Sequence, residues 1–187
     1  MDISPATLAD CRAIAEVHVL SWQHAYRDLL PADYLASLAV DRREAIWREA
    51  IASGAPRLLV ARAAGGRPGS GSFAVSGFVA FGRSRDADAP ALTAEIWAIY
   101  VAPSFWAQGQ GRALWLAAQQ EIRRAGFAAV TLWVIARNTQ ARRFYAAAGF
   151  APETDSTKSF TLGGTQLEEV RYVREIESAR DGSLAGC

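Results

Sequence analysis

The chain has 187 residues, of which 51% are hydrophobic and 21% are charged, and its net charge is +1. This balance favours one soluble globular domain and excludes general disorder, while no apolar run reaches the ~18 residues of a membrane span and the N-terminus lacks a secretory signal pattern. Two cysteines, Cys11 and Cys187, are too few for a disulfide framework or a zinc site. We therefore expect a cytoplasmic protein without a metal or a membrane partner.

The first half of the chain predicts two helices followed by antiparallel strands. Thr7 and Asp10 have the spacing of a capping box, and apolar residues at helical spacing then predict a helix from about residue 8 to the low twenties. A second helix is predicted over Ala32–Ser53, closed by Gly54. Strands are predicted at Leu58–Ala63, Phe73–Phe81 and Thr93–Val101, with loops at 65–71 and 84–91.

The second half alternates helices and strands and ends in a hairpin. The predicted elements are a helix from Arg112 to about Ala125, a buried strand Ala128–Ile135, a helix Thr139–Ala148, and a hairpin of Ser159–Leu162 and Gln166–Ile176 around Gly163-Gly164. This order predicts an α/β fold, more closely an α+β mixed sheet, in one domain spanning 1–177. Residues 178–187 are expected to form a disordered tail.

Positive charge is concentrated in one stretch of the chain. Residues 96–150 contain six arginines and a single acid, Glu121, although the whole chain is almost neutral. A local excess of this kind favours binding of an anionic ligand over coating of a nucleic acid, and Lys158 is the only lysine. We therefore expect no nucleic-acid partner.

A glycine loop lies in the middle of this basic stretch. The segment Trp106-Ala107-Gln108-Gly109-Gln110-Gly111 connects a strand to a helix N-terminus, where main-chain N–H groups can hold a phosphate. A P-loop is excluded because no lysine follows the glycines, and a Rossmann fingerprint is excluded because Leu114 stands at the third glycine position.

This loop resembles the pyrophosphate loop of the GNAT superfamily of acyl-CoA-dependent N-acetyltransferases, whose form is Arg/Gln-x-x-Gly-x-Gly/Ala. Trp106 departs from that pattern at its first position. A second segment, Leu132 to Phe150, resembles the family's succession of a strand, Asn, Ala, Phe-Tyr and Gly-Phe. The two motifs occur in the family's order, and together they are far more specific than either alone.

The resemblance implies a fold and a cofactor site. It implies a central, mostly antiparallel sheet with a splayed parallel pair and flanking helices, and acetyl-CoA as co-substrate. The pantetheine arm would pair with main-chain groups of Ile99, Tyr100 and Val101. Asn138 would also contact that arm, unless it is only a helix N-cap. The residues implied around the pyrophosphate are Ala107, Gln108, Gly109, Gln110, Gly111 and Arg112.

Two residues are candidates for the chemistry of acetyl transfer. Glu95 lies in an apolar strand, where a carboxylate is out of place, and is the candidate general base. The alternative is a strand-end glutamate that faces solvent. Tyr145 is the candidate acid for the departing thiolate, and the alternative is core packing.

A pocket for the acceptor is predicted from aromatic residues. Trp22 and Tyr26 stand four residues apart on one helix face, and with Trp97 they could hold a cationic amine, although core packing would produce the same stripe.

The predicted function is transfer of an acetyl group from acetyl-CoA to a primary amine, by direct attack in a ternary complex. The amine could belong to a small molecule or to the N-terminus of a protein or peptide. The rival from another class is a non-catalytic acyl-CoA-binding or sensing module on the same fold. The oligomeric state, including a homodimer, stays open.

Overall fold

The computed structural model describes residues 1–64 and 73–176, in which seven strands form one mixed sheet with flanking helices. The predicted loop at 65–71 and the predicted tail at 178–187 lie outside these residues. In spatial order the strands are β1, β2, β3, β4, β5, β7 and β6. The strands are β1 Asp2–Pro5, β2 Arg57–Ala64, β3 Phe73–Arg83, β4 Thr93–Val101, β5 Ala129–Ile135, β6 Ala151–Leu162 and β7 Thr165–Glu175. The helices are α1 Cys11–Ala25, α2 Ala32–Ala36, α3 Val40–Ser53, α4 Gln110–Arg124 and α5 Thr139–Ala147.

The predicted second helix is in fact two helices. Within it, the Ser37 hydroxyl donates a hydrogen bond to the Tyr34 carbonyl at 2.7 Å. A serine side chain that bonds a nearby carbonyl competes with the helical pattern, and α2 ends at Ala36 before α3 begins at Val40. The prediction of Gly54 as the end is confirmed, since Gly54 has φ +72°.

Two edge strands differ from the sequence prediction. β1 was not predicted, and β6 begins at Ala151 rather than Ser159. Both lie at the edges of the sheet, where a strand need not be apolar and can contain proline, as Pro5 and Pro152 show. The pairing of β6 with β7 also shifts register between Pro152 and Thr157, which hides the strand's alternation.

The core lies on both faces of the sheet. Helix α4 buries one apolar stripe at helical spacing, formed by Leu114, Trp115, Ala118 and Ile122. These residues pack with the apolar residues of the central strands on that face. Helices α1 and α3 cover the opposite face around Ile14, Trp47 and Phe78. The sheet therefore has an α4 face and an α1 face.

The sheet opens between its two parallel strands. β4 pairs with β5 only from Thr93–Ala129 to Glu95–Thr131, although both strands continue for several residues beyond. In β4, Ala98 and Ile96 oppose the consecutive residues Ala80 and Phe81, so Trp97 is the extra residue of a β-bulge. The predicted splayed pair is confirmed, and the gap between its strands is the centre of the site.

Candidate active site

Main-chain groups of β4 face the open gap. The N–H of Ala102, just after β4, donates a hydrogen bond to the Ser76 carbonyl of β3 at 2.8 Å. Because antiparallel ladders alternate their bonding direction, the main chain of Tyr100 also faces β3, whereas Ile99 and Val101 face the gap. The polar main-chain groups of Ile99 and Val101 are therefore placed for a ligand, and Tyr100 contributes its side chain.

The Val101 carbonyl is occupied by two side chains. It accepts a hydrogen bond from the Ser21 hydroxyl at 3.0 Å and another from the Trp106 indole N–H at 2.6 Å. Trp106, the residue that departs from the loop pattern, thus ties the start of the glycine loop to the end of β4. The Val101 N–H and both polar groups of Ile99 remain on the side of the gap.

The glycine loop contains two residues in the left-handed region just before α4. Gly109 has φ +78° and Ala107 has φ +58°, conformations that turn successive N–H groups toward one side. The Gln110 side chain is buried and accepts a hydrogen bond from the Ser76 hydroxyl at 2.5 Å, so Gln110 offers its main chain to a ligand. At Gly111, an added Cβ would lie 3.2 Å from the Phe144 ring. The loop and the N-terminus of α4 form a cradle for an anion.

Helix α5 brings Asn138 and Tyr145 to the opposite wall of the gap. The Asn138 side chain accepts a hydrogen bond from the Ala141 N–H at 3.0 Å, so Asn138 is the N-cap of α5. Burial raises the pKa of Tyr145, and the nearby Tyr100 adds to the effect. Within the part of the chain that the structure describes, the Tyr145 hydroxyl has no hydrogen-bond partner, so it can donate to a ligand.

The gap continues into a cavity of about 770 Å³ that has two unlike parts. We call Ile99, Val101, Ala107 and residues 109–112 its main-chain half, because the main chain provides the polar groups. Gln108, which was predicted to belong here, does not line the cavity, and its side chain donates a hydrogen bond to the Ser104 carbonyl at 2.9 Å. The side-chain half of the cavity lies on the α1 face. Four of its residues were predicted as site residues from the sequence: Trp22, Tyr26, Glu95 and Trp97. Its other members were not predicted: Arg85, Asp86, Trp133, Lys158, Phe160, Leu162 and Glu169.

Glu95 is buried and ion-paired. Its side chain is 2% exposed, and one carboxylate oxygen accepts from the Arg85 main-chain N–H at 2.9 Å and from its Nε at 3.2 Å. The other oxygen accepts from the same guanidinium. Arg85 in turn lies 4.2 Å from the centre of the Trp97 ring. Glu95 therefore does not face solvent. It and Arg85 form an ion pair in one wall of the cavity.

A second group of charges lies around Asp86. Its carboxylate accepts from the Trp133 indole at 2.9 Å, from Lys158 at 2.7 Å and from Arg171 at 3.3 Å. Burial alone would raise the pKa of Asp86, but these donors outweigh it and lower the pKa. Lys158 also lies 3.7 Å from the centre of the Trp133 ring. These residues come from a loop and three strands, so no short motif joins them.

Comparison with known proteins agrees with this geometry. The model of the "Acetyltransferase (GNAT) family" matches residues 19–150, which is most of the chain. The chain belongs to the GNAT acetyltransferase family. An uncharacterized N-acetyltransferase, YuaI of Bacillus subtilis, is 33% identical over 168 residues, which are 90% of this chain and 89% of that protein.

Solved structures show the same GNAT fold. The protein yncA of Salmonella typhimurium, whose structure was determined with acetyl-CoA, has a TM-score of 0.70 at 23% identity, and the match covers 100% of this chain and 99% of yncA. The paia N-acetyltransferase of Thermoplasma acidophilum, in complex with coenzyme A, has a TM-score of 0.67 at 22% identity, with coverage of 90% and 98%.

The comparisons confirm several predictions about this GNAT enzyme. The family, the fold, the acetyltransferase activity and the use of acetyl-CoA are confirmed. Among residues 1–64 and 73–176, no helix is long and apolar enough to cross a membrane. The same part of the chain contains no cluster of three or more His, Cys, Asp or Glu side chains placed to hold a metal ion.

Proposed function

We propose that this GNAT enzyme transfers the acetyl group of acetyl-CoA directly to a primary amine while both substrates are bound. The observation that carries the proposal is the division of one cavity into a main-chain half and a side-chain half. The first offers N–H groups to a strand-like, anionic ligand, and the second offers aromatic rings and carboxylates to a cation. A module that only bound acyl-CoA would need the first half alone.

The donor fits the main-chain half on two independent features. The loop at 107–112 has the left-handed residues and helix N-terminus that suit a pyrophosphate. The free main-chain groups of Ile99 and of the Val101 N–H suit the amides of a pantetheine arm, which would add to β4 as a short strand. Asn138 and Tyr145 would face that arm from α5.

Acetyl transfer then consists of one addition and one elimination. The amine nitrogen attacks the thioester carbonyl carbon, the tetrahedral intermediate collapses, and the carbon–sulfur bond breaks. The arriving ammonium loses one proton before the attack, the adduct nitrogen loses a second, and the thiolate of coenzyme A gains one, so that one proton is released overall. We assign removal of the first proton to Glu95, through water since Arg85 occupies its carboxylate, and protonation of the thiolate to Tyr145, whose raised pKa keeps it protonated until it donates and which the second proton restores.

The proposal is tested by assaying primary amines, including a peptide with a free N-terminus, for acetylated product by mass spectrometry. On the best substrate, Glu95→Gln should lower turnover about 10²–10⁴-fold near neutral pH. Activity should recover toward the pKa of the free amine, about 10, because the substrate then arrives deprotonated. Identical pH–rate profiles for the wild type and Glu95→Gln would show that Glu95 is not the general base. Failure to acetylate any amine while acetyl-CoA is bound would favour the sensing module.

A further inference from the structure

Glu169 is a carboxylate of the side-chain half to which the reaction gives no role. In β7 it pairs across the sheet with Ile135 of β5 and with Lys158 of β6. Successive strand residues face opposite sides, so Glu169 shares a face with buried Leu167 and with Arg171 of the Asp86 cluster, both on the α1 face. Its side chain is partly buried and lines the cavity.

Glu169 also lies level with the open end of the gap. Its partner Ile135 is four residues beyond Thr131, which is the last residue of β5 paired with β4. On β4, the residue four positions beyond Glu95 is Ile99. Glu169 therefore lies across the gap from the part of β4 where the main-chain half begins, whereas Glu95 lies at the closed end.

The other carboxylates around the side-chain half have cationic partners. Glu95 is held by Arg85, and Asp86 is held by Lys158 and Arg171. Lys158, which the register places beside Glu169, is taken up by Asp86 and the Trp133 ring. Within the part of the chain that the structure describes, no arginine, lysine or histidine lies within 4.0 Å of the Glu169 carboxylate.

The surroundings of Glu169 favour the arrival of a positive charge. Burial raises its pKa, and the charge of Glu95 adds to this, while Lys158 and Arg85 act in the opposite direction. Its negative charge in turn contributes to the raised pKa values of Tyr26 and Tyr100, after the larger effect of burial on each. A half-buried carboxylate without a counter-ion is unfavourable, and an ammonium group bound beside it would relieve that cost.

We propose that Glu169 binds the ammonium group of the acetyl acceptor, and that the acceptor is a cationic primary amine with an apolar or aromatic body. This inference rests on the proposed function. The rings of Trp22, Tyr26 and Phe160, together with Leu162, line the same part of the cavity and would hold the apolar body. Such a residue determines specificity, because a neutral ligand of the same shape gains nothing from the carboxylate.

The test measures binding without turnover. Calorimetric titrations compare 2-phenylethylamine with its neutral isostere 2-phenylethanol, on protein saturated with coenzyme A. The wild type should bind the amine at least ~10-fold more tightly than the alcohol, and Glu169→Gln should remove that difference. Glu168→Gln is the matched control, since Glu168 is exposed on the opposite face of the same strand. It should leave the difference unchanged.

The pH dependence adds a second readout. Binding of the ammonium needs the Glu169 anion, so the affinity for the amine should fall as the pH falls through the pKa of Glu169, which is raised above its usual range. Glu95, Lys158, Arg85, Tyr26, Tyr100 and Tyr145 line the same cavity in both proteins, so the comparison of the wild type with Glu169→Gln isolates the contribution of Glu169.

Four results would overturn the proposal. The wild type could bind the two ligands equally or bind neither, Glu169→Gln could keep the preference, or Glu168→Gln could lose it as well. Failure of the proposed function is distinct, because it would appear as bound acetyl-CoA with no acetylated product, whatever the titrations show.

Discussion

The main-chain half and the side-chain half of the cavity are built in opposite ways. The first comes from 14 consecutive residues, 99–112, and offers N–H groups whose positions depend on backbone conformation. The second comes from α1, the loop after β3 and four strands, and offers charges and rings on side chains. A donor that binds through main-chain groups needs only a fixed backbone. The half that we propose for the acceptor is built from side chains, which can change without altering the fold.

The largest expected effect concerns the main-chain half. Acetyl-CoA at 100 times its dissociation constant should stabilise the wild type by about 2.7 kcal/mol, and Gly109→Asp should abolish this shift because it adds bulk and negative charge beside the pyrophosphate. Gly54→Asp is the matched control, since Gly54 has φ +72° and open space but lies outside the cavity. Thermal melts with and without acetyl-CoA measure both. An equal shift in the two variants would remove the loop from the donor site.

The next largest effect concerns Tyr145, where the two halves meet. Tyr145→Phe should lower turnover by ~10²-fold and leave acetyl-CoA affinity nearly unchanged, because we assign protonation of the leaving thiolate to the lost hydroxyl. Tyr172→Phe removes a hydroxyl that accepts from Arg142 Nε at 2.9 Å in the core. That control should reduce stability and keep turnover per folded molecule. Full activity of Tyr145→Phe would assign Tyr145 to packing.

The ion pair of Arg85 and Glu95 tests whether the side-chain half is structural or catalytic. Arg85→Gln leaves a buried carboxylate unpaired, so the free energy of unfolding should fall by roughly 2 kcal/mol, below the value for a fully buried pair because Arg85 is half-exposed. Adding Glu95→Gln should restore most of the stability but not the turnover. Recovery of both in chemical denaturation and activity assays would make the pair purely structural.

The smallest expected effect concerns the support beneath the side-chain half. His18 is buried, accepts from the Trp47 indole at 3.2 Å and stacks on Tyr100. Burial, assisted by Arg43, lowers its pKa to about 3. The unfolded chain therefore takes up a proton below pH ~6.5 while the folded chain does not, and stability falls with acid.

His18→Asn keeps an acceptor for Trp47 and removes this titration. Between pH 7.5 and 5.5 the wild type should lose roughly 1–1.5 kcal/mol more stability than the variant. Urea denaturation at the two pH values provides the difference. Parallel losses in both proteins would mean that His18 is protonated in the fold.

The contrast between the halves also explains what the sequence could predict. The glycine loop, Asn138 and Tyr145 follow one another in two short motifs, and apart from Gln108 the structure brings them to the gap. Glu169 and Asp86 could not be found in that way, because strand pairing joins them to residues far away in the chain. One signal was present: alternation in β7 places Glu169 on the same face as buried Leu167. The edge strands β1 and β6 were missed or shortened because edge positions tolerate polar residues and proline.

The divergence of β4 from β5 has a consequence for the behaviour of the free protein. An unpaired strand edge normally invites another sheet to add to it, which is a route to aggregation. Here the open edge lies at the centre of the sheet, and one of its acceptors, the Val101 carbonyl, is already capped by Ser21 and Trp106. The cavity that exposes this edge is lined by residues of both α1 and α5, among them Ser21 and Tyr145. The open edge of β4 can thus bind a narrow ligand, whereas its position inside the sheet disfavours the addition of a strand from another copy of the protein.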